Sequence, residues 1–309
     1  MKLYELFQQH PVISTDTRTI EKDSLFFALK GESFDANEFA QQALDKGAAY
    51  AIIDNPAKKT SDRFILVDNT LTALQELATY HRQQLNTKII CIAGSNGKTT
   101  TKELVFRVLN SKFKTFATLG NLNNHIGVPL CLLKVDNSYE FAVIEIGANH
   151  VGENLFLCEI AIPDFGIVTN CGMDHLEGFG SIDGVVKSNK ELYDFLKENN
   201  GISFVNQDDQ TLLEISEGHE RIFYGSNTGK IVEQFPFIRF QTDTCTLQTH
   251  LFGSFQQFVI VGRVTIQDSA LLLLDSVRNI NLIFSIQTFS IFKLTIFQLG
   301  CFICRIDFF

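Results

Sequence analysis

A short apolar segment, Lys88-Ile-Ile-Cys-Ile-Ala93, runs straight into Gly94-Ser-Asn-Gly97-Lys98-Thr99-Thr100, and Leu104, Val105, Val108 and Leu109 then repeat on one helical face. That order is strand, glycine-bearing loop, helix. The two glycines let the backbone bend so that successive amides converge on an anion. The start of the following helix adds positive potential. The spacing predicts Gly94, Ser95, Asn96, Gly97, Lys98, Thr99 and Thr100 as a phosphate-binding loop. In it Lys98 reaches the β- and γ-phosphates of ATP, and the Thr99 hydroxyl reaches Mg²⁺. Position 92 is Ile where the longer form of this loop starts with Gly, so the fit is to the shorter G-x-x-G-K-T variant.

Such a loop commits the chain to α/β layers, and the flanking sequence agrees. In residues 1–86, Leu25-Phe-Phe-Ala-Leu29, Tyr50–Ile53 and Phe64–Val67 read as short buried strands. A helix is expected from Asp35 to Lys46, with Phe39, Ala43 and Leu44 on its apolar face and Gly47 closing it. Leu71, Leu74, Leu77, Ala78, His81 and Leu85 mark a second helix that leads out of this part. In residues 87–255 the alternation continues through Phe141–Ile146, Phe165–Thr169 and Ile202–Val205, which predicts a mainly parallel sheet with helices on both faces.

Residues 256–309 differ in kind. Of these 54 residues 28 are Val, Ile, Leu or Phe, with no Glu or Pro, so the polar faces seen elsewhere are lost. Gln287, Lys293, Gln298 and Arg305 interrupt the stretch too often for a membrane span, which needs roughly 20 mostly apolar residues. A buried strand pair fits the pattern. The favoured expectation is an aberrant apolar tail, from a shifted reading frame or some other corruption that begins shortly after Phe255.

The formal net charge of −9 argues against a general nucleic-acid binder, which needs clustered Lys and Arg. No basic start precedes an apolar run at the N-terminus, so no signal peptide is expected. Seven cysteines without framework spacing read as reduced thiols in the cytoplasm, and Cys301-x-x-Cys304 as incidental. Glu145 ends one expected strand and His175 follows another, where ligands of open α/β sheets gather. A carboxylate and an imidazole there could complete a Mg²⁺ site. On residue type alone, a surface glutamate and a hydrogen-bonded loop histidine are the simpler readings.

Several of these segments, in this order, resemble the Mur ligase family. The resemblance rests on Asp16-Thr-Arg18, Asp23-Ser-Leu-Phe-Phe-Ala-Leu-Lys-Gly31 and Asp35-x-x-x-Phe39 in the first part. In the second it rests on Gly94-Ser-Asn-Gly-Lys-Thr-Thr-Thr-Lys-Glu103, Gly120-Asn-Leu-Asn-Asn-His-Ile-Gly-Val-Pro-Leu130, Glu145-Ile-Gly-Ala-Asn-His150 and His175-Leu-Glu-Gly-Phe-Gly-Ser181. It runs from about residue 14 to about residue 255, and the Glu-Ile-Gly-Ala-Asn form points to the branch that adds D-alanyl-D-alanine. The resemblance implies a small UDP-substrate domain (1–86) in which Thr17, Arg18 and Asp35 serve the UDP-sugar end. It implies a central ATP-binding domain (87–255), incomplete, and then the tail (256–309). Implied partners are UDP-N-acetylmuramoyl-tripeptide and D-alanyl-D-alanine, with ATP and Mg²⁺, in a monomeric cytoplasmic chain. Lys98, His175 and Asn149 would be catalytic, Thr99 and Glu145 would hold one Mg²⁺, and His175 a second. Asn149 and His150 would share one edge of the sheet.

The sequence also departs from that family. The lysine that the family modifies to a carbamate falls on Asn189, between Lys187 and Lys190, and an asparagine forms no carbamate. A Gly-x-x-Asn-x-x-Asn segment is expected after Leu247–Leu251, but Gly253-Ser-Phe255 is followed by Gln256-Gln257-Phe258. The family's C-terminal domain has no counterpart in residues 256–309. The alternatives are a non-catalytic nucleotide- or UDP-sugar-binding remnant, another Mur ligase, or an enzyme like folylpolyglutamate synthase.

Overall fold

The computed structural model describes residues 2–31, 33–172, 176–225, 230–233, 239–241 and 246–248. After helix α1 (Lys2–Gln9) come strands β1 (Ile13–Ser14) and β2 (Leu25–Phe27), then a small hairpin of β3 (Lys30–Gly31) and β4 (Phe34–Asp35). Helix α2 (Ala40–Asp45), β5 (Tyr50–Ile53), β6 (Phe64–Leu66) and α3 (Thr70–Gln83) complete this part. Strands β1, β2, β5 and β6 pair in that order, all parallel. Leu25, Phe26 and Phe27 are all buried, as strands covered on both faces require.

The helix expected over 35–46 is shorter than its sequence pattern. Asp35 lies in β4, and its carboxylate accepts the Asn37 amide to cap a 3₁₀ turn, Ala36–Phe39, before α2 begins. A 3₁₀ turn has about three residues per turn. That rotates Phe39 off the core face, which belongs to Ala36, Ala40, Ala43 and Leu44. Phe39 is 38 % exposed and stacks on exposed Phe34, ring centroids 5.4 Å apart.

The second part carries β7 (Lys88–Ala93), α4 (Lys98–Asn110), β8 (Thr115–Ala117), α5 (Gly127–Leu132), β9 (Phe141–Glu145), α6 (Glu153–Ala161) and β10 (Phe165–Val168). It continues with α7 (Leu176–Phe179), α8 (Ile182–Glu198), β11 (Ile202–Asn206), α9 (Gln210–Ile215) and β12 (Arg221–Tyr224). Six strands pair in the order β12-β11-β10-β7-β9-β8, every neighbour parallel. Strand β7 therefore lies inside the sheet, and the loop after it opens at the carboxyl edge between β9 and β10.

Alternation along the strands covers both faces. Ile90, Ile92 and Val143 pack with Val105 and Leu109 of α4. Ile89, Cys91 and Ile144 face the other way, into a core shared with α3, α5, α6 and α8. On α4 the buried positions are Thr101, Lys102, Val105 and Leu109, whereas Leu104 and Val108 are half-buried. Strands β13 (Lys230–Glu233), β14 (Arg239–Gln241) and β15 (Thr246–Gln248) form an antiparallel sheet, which the parallel expectation did not include. The expected break after Phe255 and the tail at 256–309 lie outside the described residues.

Candidate active site

The loop after β7 is built by backbone conformation first. Gly94 takes φ +121° and Gly97 φ +80°, a region that favours glycine. A Cβ on Gly94 would meet Thr169 Oγ1 at 2.1 Å, so β10 and the loop touch with no room between them. The loop is tied to the end of β10 throughout. Ser95 N donates to Asn170 O at 2.9 Å, and Ser95 Oγ exchanges hydrogen bonds with the Gly172 carbonyl and amide at 3.1 and 3.0 Å. Thr169 Oγ1 and Asn170 Nδ2 both donate to Asn96 O, at 2.7 and 2.9 Å.

Lys98 and Thr99 open α4, with Thr100 in the same first turn. The Lys98 ammonium donates to the loop carbonyls of Gly94 and Ser95, at 2.6 and 2.9 Å. Thr99 Oγ1 donates to Glu145 Oε1 at 3.2 Å, and Asn123 Nδ2 donates to the same oxygen at 2.9 Å. Glu145 ends β9 and is 2 % exposed, so the simpler surface reading of this residue does not hold. Its second oxygen, Oε2, is buried without a hydrogen-bond partner. An unpartnered buried carboxylate oxygen beside the Thr99 hydroxyl fits a divalent cation. The Glu145 carboxylate and the Thr99 hydroxyl are oxygens of the kind Mg²⁺ takes, one or two from the protein with phosphate and water completing its shell.

Asn149 and His150 are exposed just beyond β9. Their amides donate to Glu153 Oε2 at 2.6 and 3.2 Å. Burial pushes the Glu153 carboxyl up, but these amides and the His150 ring outweigh it and hold the group below its ordinary range. A Cβ on Gly178 would meet Asn149 O at 2.2 Å, so α7 lies against this turn. His175 lies outside the described residues.

A partly open cavity joins Gly94, Ser95 and Lys98 to Ala148, Phe179 and Asn189. Asn189 is buried on α8 and donates to Val185 O at 3.0 Å. Lys187 is exposed, and Lys190 pairs with Asp194 on the same helix. The neighbouring Cys171 thiol is pushed up to about 12, mainly by burial, and stays neutral.

Thr17, Arg18 and Asp35 lie apart from that cavity. Arg18 is 86 % exposed and pairs with Asp16 at 2.6 Å, which lowers the Asp16 carboxyl to about 2. The Thr17 carbonyl accepts Lys46 Nζ at 2.7 Å. Thr17 and Arg18 follow β1, and Asp35 belongs to the hairpin that follows β2, so all three stand beyond carboxyl ends of the first sheet.

Sequence patterns missed Asn123, Thr169 and Asn170 as site residues. Asn123 stands within the Gly120–Leu130 motif and Thr169 ends the Phe165–Thr169 segment, and all three follow a strand or a loop glycine at the sheet's carboxyl edge.

Known proteins agree with this arrangement. Residues 92–264 match the Mur ligase middle domain, and residues 11–82 match the Mur ligase family catalytic domain. The UDP-N-acetylmuramoyl-tripeptide–D-alanyl-D-alanine ligase of Bacillus subtilis is 39 % identical over 218 residues, covering 70 % of this chain and 47 % of that protein. The Escherichia coli protein of the same name is 42 % identical over 201 residues, 65 % of this chain and 44 % of its own length. The chain thus spans about half the length of these relatives. Among solved structures, MurF from Acinetobacter baumannii superposes with TM-score 0.74 at 29 % identity, covering 86 % of this chain and 64 % of that one. MurF ligase from Thermotoga maritima, solved with ADP, gives 0.73 at 27 % identity, covering 84 % and 63 %. With its middle-domain match alone spanning more than half of the sequence, the chain belongs to the Mur ligase family.

Proposed function

We propose that this chain carries the UDP-substrate part (1–86) and the ATP-binding part (87–255) of a ligase that joins D-alanyl-D-alanine to UDP-N-acetylmuramoyl-tripeptide. The observation that carries it is the phosphate loop with Lys98 and Thr99 set against buried Glu145 and its unpartnered oxygen. The names of the relatives supply the substrates, and the ADP complex of one relative supports a nucleotide at this loop.

The tripeptide's terminal carboxylate takes the γ-phosphoryl group of ATP, forming an acyl phosphate and releasing ADP. The amine of D-alanyl-D-alanine attacks the acyl carbon, phosphate leaves with the C–O bonding pair, and the amine loses a proton. The Lys98 ammonium and the loop amides oppose charge growing on the transferring phosphoryl oxygens. Thr99 and Glu145 hold Mg²⁺, which when bound neutralises phosphate charge. His175 serves the acyl-phosphate side, with Asn149 at the same edge. Thr17, Arg18 and Asp35 receive the UDP-sugar end. In this reading the chain is cytoplasmic and monomeric and uses no nucleic acid. Among the described residues no helix is long and apolar enough to cross a membrane.

A second reading, a nucleotide- or UDP-sugar-binding form without turnover, is favoured by Asn189, an amide bonded to its own helix where the cavity would need a carbamate-forming lysine. One set of assays on the full chain separates the two. ADP–Mg²⁺ binding together with phosphate release that depends on both tripeptide and D-alanyl-D-alanine supports the ligase. Nucleotide binding without phosphate release, unchanged by bicarbonate, supports the binding form. No nucleotide binding rejects both.

A further inference from the structure

Lys102 is a charged side chain that the chemistry above leaves unused, and it is 1 % exposed. It lies about one turn beyond Lys98 on α4. Taking an ammonium out of water costs several kcal/mol unless it is well partnered. Its Nζ donates to the Thr118 carbonyl at 2.8 Å and pairs with Glu103 Oε1 at 3.1 Å. Thr118 is the first residue beyond β8, an edge strand. Its amide donates to Val143 O at 2.9 Å, and its hydroxyl oxygen accepts the amide of Glu145 at 2.9 Å. A line of contacts thus runs from the buried ammonium through Thr118 to the backbone of the residue whose Oε2 has no partner. Neither Lys102 nor Thr118 borders the cavity that Lys98 enters.

We propose that Lys102 is a positioning residue for Glu145. By fixing the Thr118 carbonyl it holds the Thr118 hydroxyl under the Glu145 amide, and so keeps Glu145 Oε2 set toward the divalent cation of the bound nucleotide. This rests on the nucleotide–Mg²⁺ reading of the loop. A methionine of similar length would fill the space but leave the Thr118 carbonyl without its donor, freeing the turn to shift. Residues that orient a metal ligand from behind typically contribute about 10- to 100-fold to metal affinity.

The test measures ADP affinity by calorimetry on the full chain, in EDTA and in saturating Mg²⁺, and takes the ratio as the Mg²⁺ gain. Lys102→Met is expected to keep the EDTA affinity and lose about tenfold of the gain. Lys102→Arg, which keeps a charged donor, is expected to recover most of it. An unchanged gain in Lys102→Met overturns the proposal. So does an equal fall in EDTA and in Mg²⁺, the mark of a structural loss alone. If Lys102→Met does not fold, Thr118→Val decides, because it keeps the side chain's size and removes the hydroxyl under Glu145, which also bonds the Cys131 thiol: a reduced gain supports the proposal and an intact one overturns it. A natural chain with no Mg²⁺ gain rejects the underlying reading and this proposal together. A gain that survives both substitutions rejects the proposal alone.

Discussion

At Gly94 a single hydrogen stands where any other residue would drive a carbon into Thr169 Oγ1, and the backbone there has φ +121°. Gly94→Ala is therefore expected to push the loop off the end of β10. ADP affinity should fall by at least about tenfold, roughly 1.4 kcal/mol, by calorimetry. The circular dichroism spectrum should stay close to that of the natural chain, because the strained atom sits in a loop. The residues of this loop were legible in the sequence because their chemistry is local: glycines, lysine and threonine stand within seven consecutive positions. The place of Glu145 at the sheet's carboxyl edge was legible because it ends a strongly apolar strand, but its burial was not, since residue type alone favours a surface glutamate. Thr169 and Asn170 were not, since they meet the loop from more than seventy positions away. A short polar side chain after a strand carries no pattern of its own. Asn189 was legible only through the resemblance. Its burial and its bond to Val185 O come from the way α8 packs.

Among the elements, α3 does the most to join the two sheets. Its apolar face was readable from spacing, and Asn69 caps it by accepting the Thr72 amide at 2.9 Å. The spacing gave no sign of Arg82, whose guanidinium is buried at the far end of the helix. It donates to Ala161 O and Ile162 O, the closing carbonyls of α6, and pairs with Asp164 at 2.9 Å. A cation at a helix C-terminus meets the negative end of its dipole. Asp164 also receives Lys88 Nζ and the Ile89 amide, so one carboxylate ties α3, α6 and the start of β7 together. Arg82→Met strands several buried acceptors at once and is expected to cost about 3 kcal/mol of stability, read by urea unfolding. The 3₁₀ turn before α2 was also illegible. Asp35 reads equally well as a helical residue or a cap, and only the cap geometry turns Phe39 outward.

For the molecule as a whole, buried His81 and half-buried His219 set the response to mild acid. Burial lowers the pKa of His81, whose ring bonds Val135 O at 2.7 Å, and also lowers that of His219, helped by Arg221 and Lys197. Both are held neutral in the folded chain, so the unfolded chain binds more protons just below the ordinary histidine value of about 6.5. Their contribution is complete above that value and is lost as pH falls through the lowered folded values. The thermal midpoint should drop between pH 7 and 5, and a His81→Gln, His219→Gln double variant should flatten that slope. Glu191 acts the other way. Burial raises its carboxyl, so its contribution weakens as pH rises above the ordinary glutamate value, and it offsets part of the slope. Asp54, Asp136 and Glu153 have lowered values and lose their contributions only at more acid pH, as they protonate.

The two carbonyls that hold the Lys98 ammonium belong to the loop that a phosphate would enter. An arriving phosphate oxygen does not find a loose cation to recruit. It meets an ammonium that Gly94 O and Ser95 O already hold in place through two of its three donors. A contact from that ammonium to a phosphate is charge-assisted and weakens as salt rises. Because the lysine is ordered beforehand, little side-chain entropy remains to be lost, so the loop meets its ligand already shaped.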